Sequence, residues 1–134
     1  GDDADYIARR ISDLALTPVA MLFTHGHFDH VMAATELKLA YNIPLIASEK
    51  DNFLLERLQQ TAKHFIKTEV LPAPAIDFPV TDSANISLEN VEFKTIAIPG
   101  HTPGSIAFFI FVEKMAFTGY FVFAYGLVGR TDIA

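Results

Sequence analysis

The spacing of apolar residues changes along this chain, from helical in the first half to extended in the second. In ADYIARRISDLAL, residues 4–16, Tyr6, Ile7, Ile11 and Leu14 recur at helical spacing, and the aspartates before them suit a helix N-terminus. The short apolar run VAMLF, residues 19–23, predicts a buried strand. From Asp29 a second helix follows, with Val31, Ala34, Leu37 and Tyr41 on one face. IPLIAS predicts another short strand. SEKDNFLLERLQQTAKHF opens on a Ser-x-x-Asp capping signal, Ser48 to Asp51, and predicts a third helix. LPAPAIDFPVTDS is proline-rich and reads as a loop. Beyond it VEFKTIAI, SIAFFIFV and KMAFTG predict strands, with a turn at Glu113–Lys114 between the last two. Helices and strands come first and strands dominate afterwards, so the fold class is α/β, with helices layered on a mixed sheet.

A chain of 134 residues fits one domain, residues 1–134. Apolar residues make up 51% of it and the mean hydropathy is +0.29, which points to apolar surface in need of cover. The net charge is −6 and no Lys/Arg cluster stands out, which argues against a nucleic-acid partner. No apolar run reaches the roughly 18 residues of a membrane span, and the opening GDDAD is no signal peptide. The expectation is a cytoplasmic protein acting on a small molecule. Cysteine is absent, so disulfides and zinc–thiolate sites are excluded, and any metal must be held by histidine and carboxylate.

Such residues are concentrated in THGHFDH, residues 24–30. His25 and His27 are two apart at the end of a predicted strand, where alternate side chains point the same way, so both can reach one ion. Asp29 and His30 begin the next helix and can face a neighbouring point. Imidazole suits zinc, and three protein ligands with one open position is the pattern of a catalytic zinc. The alternative is a solvated turn with coincidental histidines; three of the chain's five histidines in seven residues argue against it. A second stretch, PGHTPGS (residues 99–105), puts His101 in a turn fixed by glycine and proline. His101 is the natural third ligand beside His25 and His27.

These two motifs together resemble those of the metallo-β-lactamase-fold hydrolases. The closing GRTD, residues 129–132, resembles the branch of glyoxalase II-type thioesterases and persulfide dioxygenases. The resemblance implies an αββα sandwich with a metal site at one edge. It implies that His25, His27 and His101 bind a first metal and that Asp29 and His30 bind a second. Zinc is the expected ion, one per chain, with iron or manganese left open. An ion there brings water bound to it toward neutral acidity, and Asp29 would orient that water and accept its proton.

Three departures from the family pattern change the expectation. The family's Thr-Gly-Asp, whose carboxylate contacts both metals, reads FTGYFVF here, with Tyr120 in the acidic position. A later histidine of the second site has no counterpart. The opening corresponds to a point just past the family's first strands. The sandwich is therefore expected to be incomplete, lacking N-terminal strands and a C-terminal segment. The second site should be weak, and dioxygenase chemistry, which uses that Asp, less expected than hydrolysis. Tyr120 either neighbours the site or packs among Phe117, Phe121, Phe123 and Tyr125. The expected function is zinc-dependent hydrolysis of an ester, thioester or amide carbonyl. The rival is a catalytically silent relative serving as a metal-binding or assembly module. Strands lacking neighbours leave open edges, so a homo-oligomer is expected. His64 reads as a surface residue, Met21, Met32 and Met115 as core filling, and Arg130 with Asp132 as an ion pair or a solvated loop.

Overall fold

A computed structural model describes residues 3–123 of the chain. Helix α1 (Ala4–Asp13) starts where the Asp3 carboxylate accepts from the Tyr6 N–H at 2.7 Å, and stops where Ala15 turns to φ 50°. Its Ile7 and Ile11 are half-buried, and no residue of it is fully covered. Strand β1 (Met21–Leu22) pairs in parallel with β2 (Leu45–Ala47), which pairs in parallel with β3 (Phe78–Pro79). Strands β4 (Asn85–Leu88), β5 (Val91–Ala97), β6 (Ile106–Ile110) and β7 (Met115–Phe117) form an antiparallel meander. Ile46 and Val80 from the first sheet side meet Ile106 and Phe108 from the second, so one core lies between the sheets. Burying the Phe108 side chain there stabilises the fold by roughly 1.5–3 kcal/mol. A second core lies under the helices, where Val31 and Met32 pack on Leu55, Leu58 and Ala62. Among the described residues, helices, parallel sheet and antiparallel sheet supply three of the four layers of the expected sandwich.

Several expectations need correction. The second helix is two pieces, α2 (Phe28–Val31) and α3 (Ala34–Tyr41), and it starts one residue before Asp29. Val31 to Ala34 are all buried, a run too broad for one helical face. The third helix is likewise broken, into a 3-10 turn (Glu49–Asp51), α4 (Asn52–Glu56) and α5 (Leu58–Ile66). Ser48 accepts from the Lys50 N–H at 3.4 Å, but Asp51 does not complete a capping box; its carboxylate turns elsewhere. The proline-rich stretch contains β3. Asp77 draws it to β2 by accepting from the Leu45 N–H at 2.7 Å, and Lys38 pairs with the same carboxylate. These two partners, the Leu45 N–H first, hold the Asp77 carboxyl below the usual range. Strand β4 is short and half-exposed, so its polar NISL gave little signal. SIAFFIFV is buried at Ile106 to Phe108 and at Ile110, but Phe111 and Val112 form an exposed turn. That turn runs over residues 111–114, wider than Glu113–Lys114, and Lys114 takes φ 52°. Met32 fills core, whereas Met115 lies 48% exposed on β7 and does not. His64 is exposed, as expected. Arg130 and Asp132 lie outside the described residues.

Candidate metal centre

Both histidine motifs sit where a strand of each sheet meets its loop. The chain leaves β1 through Thr24 and His25, and His27 is the extended residue that precedes α2. The second motif is the loop from β5 into β6, closed by the Ile98 N–H donating to Ser105 at 2.9 Å. The Ile106 N–H donates to the Thr24 carbonyl at 2.8 Å and ties the two strand ends together across the sheets.

This brings His25, His27 and His101 together. One ligand atom from each lies within 4.8 Å of the others. Zinc–nitrogen bonds of about 2.0–2.1 Å at tetrahedral angles put donors on one ion about 3.4 Å apart, so the ligand atoms would draw together by about 1.4 Å at most from their spacing of up to 4.8 Å to share it. His27 Nδ1 and His101 Nε2 already share a hydrogen bond at 2.9 Å. His25 is 3% exposed; its Nδ1 bonds the Thr24 hydroxyl at 3.1 Å, while its Nε2 is buried without a hydrogen-bond partner. Burial first, then the neighbouring imidazoles of His30, His101 and His27, lower the His25 pKa to about 3. A neutral imidazole with an unsatisfied buried nitrogen is what an ion requires of a ligand. The donor set therefore fits a divalent metal.

His30 and Asp29 stand beside this group. The His30 ring is 4.4 Å from that of His25, and its Nε2 is 3.5 Å from Asp29 Oδ2. Burial is the largest influence on His30 and lowers its pKa. Asp29 is exposed at the start of α2. Tyr120 lies in the 3-10 turn after β7, its ring 4.7 Å from His30, 5.1 Å from His101 and 5.5 Å from His25. Its ring centroid also lies 5.4 Å from that of Phe123. Gly119, at φ 55°, lets that turn approach: a Cβ there would meet Thr24 Oγ1 at 2.7 Å.

Sequence reasoning missed Asp51. It is 3% exposed, and its carboxylate reaches both histidine loops. Oδ2 accepts from the Gly26 N–H at 2.9 Å and the Thr102 hydroxyl at 2.7 Å, and Oδ1 accepts from the Gly104 N–H at 2.7 Å. The glycines of the two motifs were the available signal. A Cβ on Gly104 would meet Asp51 Cγ at 2.6 Å, and one on Gly26 would meet Asp51 Cβ at 3.1 Å.

Histidines on two loops, gathered at one end of a helix-covered pair of sheets, define a metal-site protein of a particular class. The chain belongs to the metallo-beta-lactamase superfamily, whose family model matches residues 1–133. It is 38% identical over 139 residues to "Hydroxyacylglutathione hydrolase GloC" of Haemophilus influenzae, covering 98% of this chain and 62% of that relative. It is 29% identical to "Probable metallo-hydrolase YqgX" of Bacillus subtilis, covering 99% of this chain and 63% of the relative. The chain thus spans about three fifths of the length of these curated relatives. Among solved structures, TTHA1623 in a di-iron-bound form superposes with a TM-score of 0.86 at 28% identity, over 99% of this chain and 64% of that one. ETHE1 from Myxococcus xanthus shares the fold, at TM-score 0.70 and 23% identity over 96% of this chain and 47% of that one.

Proposed function

We propose that this chain carries the metal-binding part of a hydrolase that cleaves a thioester or ester carbonyl, glyoxalase II-like in chemistry. The observation that carries the reading is the convergence of His25, His27 and His101, with the buried Nε2 of His25 unsatisfied. Those three side chains would hold one divalent ion, zinc first, with iron or manganese as alternatives. When bound, such an ion acidifies water and polarises a carbonyl. Asp29, exposed beside the cluster, would orient the attacking water and accept its proton. Asp29 and His30 would give a second ion only a weak hold. The hydroxyacylglutathione hydrolase relative makes a glutathione thioester the first substrate to try.

A silent metal-binding module is the second reading, favoured by Tyr120, whose ring stands against His25, His30 and His101 where the family pattern has a carboxylate. Assembly into a homo-oligomer also belongs to the proposal. Met115 and Phe117 on β7, the last strand of its sheet among the described residues, are exposed, as are Phe111 and Val112 in the turn before it. Among the described residues no helix is long and apolar enough to cross a membrane. A cytoplasmic location is proposed from the hydrolase relatives alone. The test is thioester hydrolysis by the zinc-loaded chain, its chelator-treated form and its His101→Ala variant. Turnover confined to the loaded parent supports the hydrolase. A metal-loaded chain without turnover leaves the silent module.

A further inference from the structure

Asp51 joins the two sheets at the point where the histidines emerge. Strand β2 lies beside β1, so the turn after β2 emerges next to the loop after β1, and this brings Asp51 against Gly26. Gly26 is bonded on both sides to a histidine of the cluster, His25 and His27. From the other side come Thr102, adjacent to His101, and Gly104. Ser105 extends the network: its Oγ is 2.9 Å from the Thr102 hydroxyl and accepts from the Thr102 N–H at 3.0 Å. One buried carboxylate thus holds three donors drawn from the two histidine loops. A carboxylate is costly to bury without such donors, and charge-assisted bonds to it are stronger than neutral ones. The two motif glycines are what let it approach: at Gly104 any side chain would have to displace the carboxylate.

We propose that Asp51 is a positioning residue that sets the affinity of the His25–His27–His101 site for its metal. It does so by fixing the backbones of the two histidine loops relative to each other. His27 and His101 approach from different sheets, and besides Asp51 the loops are joined by the Ile106 N–H bond to the Thr24 carbonyl and by the His27–His101 side-chain hydrogen bond. Replacing Asp51 with asparagine keeps its volume but turns one acceptor oxygen into a donor that faces other donors. The two loops then separate, and the ion loses the convergence that three ligands on one point supply.

This rests on the metal reading above, and the test separates the two. Zinc affinity is measured by chelator competition for the parent, Asp51→Asn, Thr102→Val and Leu58→Ala. The last removes a buried side chain of the helical core that supplies none of the Asp51 contacts, and reports what loss of stability alone does. Cobalt(II) absorption is recorded on each. Asp51→Asn should weaken zinc binding about 10–100-fold, the usual effect of removing a group that orients metal ligands, and should alter the cobalt spectrum. Thr102→Val, which keeps the two backbone donors, should weaken binding less. Leu58→Ala should leave affinity and spectrum as in the parent. Folded Asp51→Asn binding zinc like the parent overturns the inference and leaves the metal site standing. A parent that binds no divalent metal overturns both. If Asp51→Asn does not fold, Thr102→Val decides by the same comparison with Leu58→Ala.

Discussion

Replacing Tyr120 with aspartate tests whether the turn after β7 faces the metal centre. The Tyr120 ring lies 4.7 Å from that of His30 and 5.5 Å from that of His25, beside the three-histidine set and beside His30. A phenol offers a second cation no formal negative charge; a carboxylate does. Tyr120 is 40% exposed, so the dielectric of water is the fitting limit. A carboxylate about 4 Å from a doubly charged ion then gains about 2 kcal/mol, twice the value for two unit charges. That corresponds to about 30-fold in the dissociation constant of the second ion. Against it stands the lost ring contact with Phe123 at 5.4 Å, worth about 0.5–1.5 kcal/mol of stability. The assay is zinc titration by calorimetry, with thioester hydrolysis on the same samples. Tyr120→Asp should add a second, weaker binding event and raise any hydrolytic rate, while Tyr120→Phe should do neither. A folded Tyr120→Asp protein with metal content and rate equal to the parent would refute the placement of Tyr120 at the centre.

Three further outcomes are expected. Phe108→Ala, at a core position 1% exposed, should cost about 3–5 kcal/mol in urea unfolding; a loss under about 1 kcal/mol would contradict the inter-sheet core. In metal-free protein the depressed His25 pKa, about 3 against 6.5, means the unfolded state binds the proton first. Stability present above pH 6.5 should therefore fall as the pH drops toward 3, and a urea midpoint unchanged between pH 7.5 and 5 would count against a buried neutral His25. Light scattering should find a dimer or larger assembly; a stable monomer at micromolar concentration that binds no apolar dye would defeat the proposed pairing.

What the sequence disclosed follows from how far each signal reaches along the chain. The histidine clusters were legible because their residues are adjacent, and alternate residues at a strand end face one way. Strands β5 and β6 were legible from their β-branched and aromatic residues. Strand β3 was not, because two residues held to β2 by Asp77 leave no periodicity. The broken helices were hidden because continuous apolar spacing does not reveal where tertiary contacts interrupt it. Asp51 shows this most directly. Locally, Ser48 to Asp51 is a good cap signal, but a carboxylate offered three donors from two distant loops takes those instead. Its partners lie 25, 51 and 53 residues away, beyond any local pattern.

The central claim is that His25, His27 and His101 form one metal site. Metal content of the untreated purified protein, measured by mass spectrometry beside His101→Ala, tests it most directly. One tightly held divalent ion per chain, zinc foremost, is predicted for the parent, and none for His101→Ala, which leaves only the pair on one loop. A parent free of metal, a second ion held as tightly by ligands of the same chain, or a His101→Ala variant that keeps its ion would contradict it.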